Sequence, residues 1–416
     1  MKRFDSPIPV RPLAVLAAAA LASPAAAGAA EDACIPDPAA LIAAPPGPDV
    51  PLPAELADRL DAALRDALPL AAAPGIIAGV QTAEGRWSAA AGLADPDAGT
   101  PMEAGMHTRI GSVTKTFTGT LLMQLAERGD LSLDDTIGSY VEDIPNGDAI
   151  TLRQLADMTS GLANYTLTDT FWQAFAADPQ RVYTPQELLG YAVPASPIFE
   201  PGGRFDYSNT NTVLLGLVIE KVTGAPVGDA MRSMIIGPLG LQDTIWPEAS
   251  PDLPEPYARG FTLQGDDIPP EDPADATFWN PSWGWTAGEM ISTLDDLLAY
   301  GHALATGQGL LGEAAQAERL ASFPEAGGYG IGFGCIGGWL GHTGELPGYN
   351  TTLYTHVPSG ITVAVQANSD IPSGDCGEMD VLPGNPGGVA CASPATRVFA
   401  ALSEALGHGF ARPSAD

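Results

Sequence analysis

Two groups of strand-like segments lie at opposite ends of the chain with a long run of helix signals between them, and few folds accommodate that order. Near the front, Gly75 to Thr82 and Arg86 to Ala91 flank Glu84-Gly85, as the two arms of a β-hairpin do. Near the back, Tyr329 to Cys335, Trp339 to His342, Asn350 to Val357 and Ile361 to Asn368 follow in quick succession, the last two joined by Pro358-Ser359-Gly360. Between them the caps are helical: Thr151 with Gln154, Thr184-Pro185-Gln186-Glu187, and an amphipathic stretch from Asn211 to Val222 that stops at Gly224. The pairs Ser292/Asp295 and Thr293/Asp296 open another helix that closes near Gly307. Leu56, Leu60, Leu64 and Leu68 recur every four residues up to Pro69, and Val398, Leu402 and Leu406 mark a closing helix. The simplest assembly is an α+β fold: one antiparallel sheet built from both ends of the chain, flanked by the N- and C-terminal helices. Residues 51–115 and 283–416 then form the sheet domain, and 116–282 a mainly helical inserted domain. Residues 28–50, rich in Ala, Pro and Asp, read as a linker or arm. A cleft between the two lobes is the expected place for a site.

Charge and the first residues narrow the function classes. The 416 residues carry 18 Lys+Arg against 50 Asp+Glu, a net charge of -32, so no basic patch exists to hold nucleic acid or an acidic membrane. Lys2, Arg3 and Arg11 precede the apolar run Leu13 to Ala22, and the small residues Ala25-Ala26-Ala27 follow, as in a cleaved export signal over 1–27. That run is about ten residues, against the roughly 20 that span a bilayer, so no transmembrane anchor is expected and the mature chain is placed in the periplasm or medium. Cleavage after Ala27 removes three basic residues and Asp5, leaving 15 basic and 49 acidic, or -34. In an oxidising compartment Cys34, Cys335, Cys376 and Cys391 read as disulfides rather than metal ligands or nucleophiles. The Gly/Pro-rich stretch from Cys376 to Cys391 suits a local staple, and Cys335 a longer tie; three pairings are open at this point.

The chemistry concentrates at Gly111-Ser112-Val113-Thr114-Lys115. Phe117, Leu121 and Leu125 form an apolar stripe that Gly129 ends, so Ser112 opens a helix and Lys115 lies three residues on, on the same face. A serine hydroxyl is a poor nucleophile until a base takes its proton, and a lysine can do so when burial depresses its pKa. The helix N-terminus adds partial positive charge and a free N–H for a developing oxyanion. Arbitrary S-x-x-K occurrences are mostly a capping serine and a solvated lysine, but this chain holds only three lysines, Lys2, Lys115 and Lys221. Two further elements follow in order: Tyr207-Ser208-Asn209, in the turn after Pro201-Gly202-Gly203, and His342-Thr343-Gly344, at a strand end. The glycines at 330, 332 and 334 alternate with Tyr, Ile and Phe in strand fashion and no helix follows, so they are not a dinucleotide loop; no G-x-S-x-G or H-E-x-x-H occurs.

S-x-x-K, then Y-x-N, then H-T-G resembles the serine penicillin-recognising superfamily, in its branch of class C β-lactamases and D-Ala-D-Ala carboxypeptidases, most of all the secreted carboxypeptidase type. The segments 150–162, 201–224, 287–297 and 341–351 carry the similarity along most of the chain. The resemblance implies the β-lactamase/DD-peptidase-like fold, Ser112 as the acylated nucleophile, and Lys115 and Tyr207 as partners in proton transfer. It also implies Asn209 on the substrate's acyl-side amide, and His342, Thr343 and Gly344 along the strand edge, with Thr343 on a substrate carboxylate. The N–H groups of Ser112 and Glu345 would form the oxyanion hole. No cofactor or metal is needed, the partner is a small molecule or peptide (a D-Ala-terminated peptide, a β-lactam or an ester), and a monomer is expected. Two departures stand out. Tyr329-Gly330-Ile331-Gly332 continues as Phe333-Gly334-Cys335 without the basic residues that would meet a terminal carboxylate, and Glu345 would repel anions if its side chain faced the site. Trp283, Trp285 and Trp339 are candidates for an apolar rim as much as for the core. D-Ala-D-Ala carboxypeptidase is therefore the first expectation, with β-lactam, small-ester or D-amino-acid amide hydrolysis on the same residues as alternatives. A non-catalytic envelope-binding protein is the reading from another class.

Overall fold

The computed structural model describes residues 34–324 and 328–410; the expected export signal lies outside them. The main sheet is antiparallel and contains strands from both ends of the chain, as the sequence pattern predicts. Its strands are β1 (Gly75–Thr82), β2 (Gly85–Asp95), β3 (Thr100–Pro101), β4 (Gly334–Ile336), β5 (Trp339–Leu346), β6 (Tyr349–His356) and β7 (Ile361–Ala367), in the spatial order β3-β2-β1-β7-β6-β5-β4. The two halves join where β1 pairs with β7, Ile76 opposite Ala367 and Val80 opposite Val363.

Side-chain alternation divides this sheet between two cores. Ile76, Ala78, Val80, Val363 and Val365 face helices α1 (Ala54–Ala67) and α5 (Pro394–Ala405), where Leu60, Leu64, Val398, Phe399 and Leu402 complete an outer layer. Ile77, Leu353 and Ala364 face the opposite way, toward α4 (Leu294–Thr306) and the larger core that runs on into the helical lobe. That lobe is organised by α2 (Thr114–Arg128) and α3 (Asn209–Thr223), with Leu152–Ala156, Asp169–Ala177 and Pro185–Ala192 around them. The capping boxes expected at Thr151/Gln154 and Thr184/Glu187 are both formed. Among the described residues no helix is long and apolar enough to cross a membrane.

The structure corrects several sequence expectations, each for a local reason. Helix α2 is buried from Thr114 to Leu125 on every side and not along one stripe; its polar side chains bond backbone carbonyls, Thr118 that of Thr286 and Thr120 that of Thr116, and so tolerate the interior. Tyr329 to Phe333 is a turn rather than a strand, because Gly332 takes a left-handed φ of 78° and lies so close to α2 that a Cβ would stand 2.8 Å from the Lys115 carbonyl. Strand β5 does not end at His-Thr-Gly but runs through it to Leu346. The box expected at Thr293/Asp296 is absent, since the Asp296 carboxylate accepts instead from Thr244 and the Asp243 N–H. Ser292 lies in a two-residue strand ahead of α4, paired with Thr108. Residues 38–42 of the supposed arm form a short helix with Leu41 buried, and the arm is tied to the sheet by the Cys34–Cys335 disulfide. Cys376–Cys391 is the local staple. Trp339 belongs to the outer core, its indole N–H donating to the His408 carbonyl, and Trp285 packs against α3 at Gly216, so neither forms a rim.

The outer layer, with α1 and α5, lies on the face of the sheet opposite the larger core. Phe399 is fully buried among the rings of Trp339, Tyr354 and Phe410. Phe399→Ala is expected to cost about 3–5 kcal/mol of unfolding free energy by urea titration. The rate of Ser112 acylation measured well below the transition is expected to stay within about a factor of two of wild type, since Phe399 lies in the outer core and lines no part of the pocket at Ser112.

Candidate active site

The serine sits on a single 3-10 turn, Gly111–Val113, that leads directly into α2. Gly111 has φ 52°, and a Cβ there would lie 2.4 Å from the backbone nitrogen of Glu345. From the other side, a Cβ on Gly344 would lie 1.9 Å from the Ile110 carbonyl oxygen and 3.0 Å from the Ser112 nitrogen. Glycine at both positions lets β5 and the serine turn touch backbone to backbone. The main-chain nitrogens of Ser112 and Glu345 are thereby brought to one place, the pair that the resemblance assigns to an oxyanion.

Beneath the serine lies the lysine. Lys115 Nζ is 2.9 Å from Ser112 Oγ and 2.7 Å from the Ala287 carbonyl, and the residue is 1% exposed. No carboxylate pairs with it among the described residues, and burial holds its pKa well below the ordinary lysine value of 10.5. A neutral amine in this position donates to Ala287 and turns its lone pair to the Ser112 O–H. The Tyr207 ring lies under the same amine, 5.0 Å from ring centroid to Nζ. Its hydroxyl is buried without a full hydrogen-bond partner; burial raises its pKa, and only the adjacent Ser112 hydroxyl lowers it. The phenol is therefore protonated at rest, a relay rather than a standing base.

His342 packs against the Tyr207 ring and is not among the residues that line the pocket over Ser112. Its Nε2 is 3.0 Å from the Tyr329 hydroxyl, its Nδ1 is bonded to the Thr343 carbonyl, and the three rings of Tyr207, Tyr329 and His342 pack together. Burial, with Lys115 nearby, pushes its pKa down to about 3, so the imidazole is neutral throughout the working range.

A pocket of roughly 460 Å³, counting its open mouth, stands over Ser112. Ser112, Asn209 and Glu345 line it, together with residues that the motifs do not reveal: Tyr165, Thr166, Trp172, Gln264, Trp283 and Leu346. Asn209 opens α3, and its amide donates to Thr166 Oγ1 at 3.0 Å. Of the candidate tryptophans only Trp283 lines this pocket. Gln264 Nε2 lies 3.4 Å from a Glu345 carboxylate oxygen and 2.5 Å from Asp370 Oδ2, so one amide spans two acids. Thr343 is half-buried on β5 and Gly344 is spent on the Ile110 contact, so neither is among the lining residues. Gln264 and Asp370 come from loops without periodicity, and no sequence signal singles them out. Trp172 and Tyr165 belong to a cluster of rings around Phe171 whose density in the 165–175 stretch was the one available hint.

The chain is similar to known proteins along most of its length. The β-lactamase family model matches residues 60–380. The chain is 30% identical to esterase EstB of Burkholderia gladioli over 68% of its length and 80% of the relative's. It is 33% identical to a D-aminopeptidase of Cereibacter sphaeroides over 58% of its length, a match that spans only 45% of that relative. Among solved structures, a D-stereospecific amidohydrolase from Streptomyces superposes with a TM-score of 0.68 at 32% identity, over 76% of this chain and 94% of that one.

Two expectations follow from the geometry. Gly111→Ala adds a methyl group into the Glu345 backbone at a left-handed φ, and is expected to lower kcat/KM by about 100-fold through displacement of β5 from the serine turn, with a drop in melting temperature equivalent to about 1–2 kcal/mol; wild-type turnover in this variant would mean that the two backbones need not touch. Because Lys115 takes the serine proton only when unprotonated, the acylation rate is expected to rise with pH along one limb centred below 10.5, and stopped-flow acylation across pH 5–10 measures it. The limb should vanish, with the activity, in Lys115→Met.

Proposed function

The chain belongs to the β-lactamase family, and we propose that it is a serine amidohydrolase that cleaves small amino-acid amides or short peptides of D configuration through an acyl-enzyme on Ser112. The observation that carries this reading is the isolated, buried Lys115 amine 2.9 Å from Ser112 Oγ, beneath a pocket whose lining offers an acid and no arginine or lysine. The resemblance first suggests a D-Ala-D-Ala carboxypeptidase, but recognition of a peptide's terminal carboxylate calls for a cation. Glu345 stands there instead, and His342 is neutral. The relatives named as a D-aminopeptidase and a D-stereospecific amidohydrolase support the same choice.

In this reading Ser112 Oγ attacks the acyl carbon as its proton passes to Lys115. The N–H groups of Ser112 and Glu345 hold the oxyanion, a pair whose individual members are typically worth about 10²–10³ in rate. The intermediate collapses with transfer of a proton, through Lys115 and Tyr207, to the departing nitrogen, which leaves as ammonia or an amine. Water then attacks the ester on Ser112 with Lys115 or Tyr207 accepting its proton, and the free acid departs. Asn209 faces the acyl chain from the helical lobe, and the rings of Tyr165, Trp172 and Trp283 suit an apolar side chain on it.

The test is ammonia release from D- and L-phenylalaninamide, with intact mass measured in parallel after incubation with benzylpenicillin. Turnover of the D-amide, at least about 10³-fold reduced in Ser112→Ala, is the expected result. A lasting Ser112-dependent penicilloyl adduct without amide turnover would restore the carboxypeptidase, and consumed penicillin with unmodified protein would make it a β-lactamase. No Ser112-dependent chemistry of any kind would leave a binding protein.

A further inference from the structure

The acid beside the nucleophile is part of a construction. Glu345 lies on β5 directly after the glycine that touches Ile110, so the residue whose backbone nitrogen lies against the serine turn also lines the same pocket, as does Gln264 beside its carboxyl group. Gln264 donates to it and to Asp370. Asp370 is 4% exposed and fixed in turn by the Gly348 N–H at 3.1 Å and Thr262 Oγ1 at 2.9 Å. Two carboxyl groups thus stand side by side, and among the described residues no arginine, lysine or histidine forms an ion pair with either. Burial raises both pKa values, the nearby Asp370 carboxyl adding to the rise at Glu345 while hydrogen bonds from Gly348, Thr262 and Gln264 oppose it at Asp370, as expected for buried acids without a counter-ion. Lys115 is engaged by Ser112 and Ala287, and burial holds its pKa well below the ordinary lysine value.

We infer that Glu345, oriented by Gln264 and backed by Asp370, is the anchor for a free α-ammonium group on the acyl donor. The inference rests on the reading of Ser112 as the acylated nucleophile and adds the substrate class: α-amino acyl amides, esters or peptides with an unblocked N-terminus, as opposed to N-acylated donors. The ammonium sits one bond from the α-carbon, which is bonded to the carbonyl carbon under attack, so an anchor for it must lie immediately beside the oxyanion donors. Glu345 meets that requirement because its own backbone supplies one of them. An ammonium also offers three donors to a site rich in acceptors and removes the repulsion between the two acids on binding. The net charge of -32 draws cationic donors toward the cleft and disfavours anionic ones.

Three p-nitroanilides of one shape test the assignment on the intact chain: D-phenylalanyl, N-acetyl-D-phenylalanyl and desamino 3-phenylpropionyl. Wild type is expected to prefer the free amine at least 30-fold in kcat/KM over both others. Glu345→Gln is expected to raise KM for the free amine 10-fold or more with a smaller change in kcat, and to collapse the preference among the three; Glu345→Asp restores part of it. Equal turnover of the blocked and free donors by wild type overturns the anchor, and needs no variant to fold. A loss of the same factor for all three donors in Glu345→Gln overturns it as well, since that is the signature of a purely structural acid. If Ser112 acylates with the blocked donor but rejects the free amine, the anchor alone fails; if no donor shows Ser112-dependent release, the amidohydrolase reading falls with it.

Discussion

The contact on which the site depends is backbone against backbone: the Ile110–Ser112 turn against Gly344 and Glu345 of β5. On the helical side Ser112, Lys115 and, through α3, Asn209 are carried by elements that begin at or near this seam, and on the sheet side His342, Gly344 and Glu345 are carried by one strand. No side chain could make the connection, because at the separation observed a single Cβ on either glycine would overlap the opposite main chain. The price of such closeness is conformational, a left-handed Gly111, and the return is a pair of main-chain N–H groups held by the fold rather than by rotamers.

The electrostatics of the pocket follow from what surrounds that seam. Directly below it burial works against charge on three groups: it lowers the pKa of Lys115, raises that of Tyr207, and with Lys115 nearby lowers that of His342. Beside it the protein keeps two acids close together. A base that is ready to accept a proton and a wall that is ready to accept a cation need different surroundings, and the strand edge separates them, with the amine on the α2 side and the carboxyl groups on the side of Gln264 and Asp370.

The parts of this arrangement that could be read from the sequence are those with short-range signals. The Ser112/Lys115 spacing is helical and local, the Tyr207-Ser208-Asn209 step sits on a helix start, and the strands at both ends imposed the split sheet. Strand β5 was read too short, since glycines in His-Thr-Gly suggest an end when in fact they allow the serine turn to approach. The buried character of α2 was hidden because its threonines look solvent-compatible until their hydroxyls are seen to bond main-chain carbonyls. Trp339 could not be assigned to a face without knowing which register of β5 meets α5. Gln264 and Asp370 carry no periodicity at all; their meaning depends on two loops brought to Glu345 by the sheet.

The pairing of β1 with β7 has a consequence for how the molecule comes into being. Ile76 and Ala367 are neighbours in space but far apart along the chain, and contacts of such long sequence separation form late, after a large loss of chain entropy. A growing polypeptide would already hold Ser112 and Lys115 on adjoining turns while the strand that faces them had yet to emerge. Hydrolytic competence is thus a property of the finished chain, switched on by the arrival of its last third.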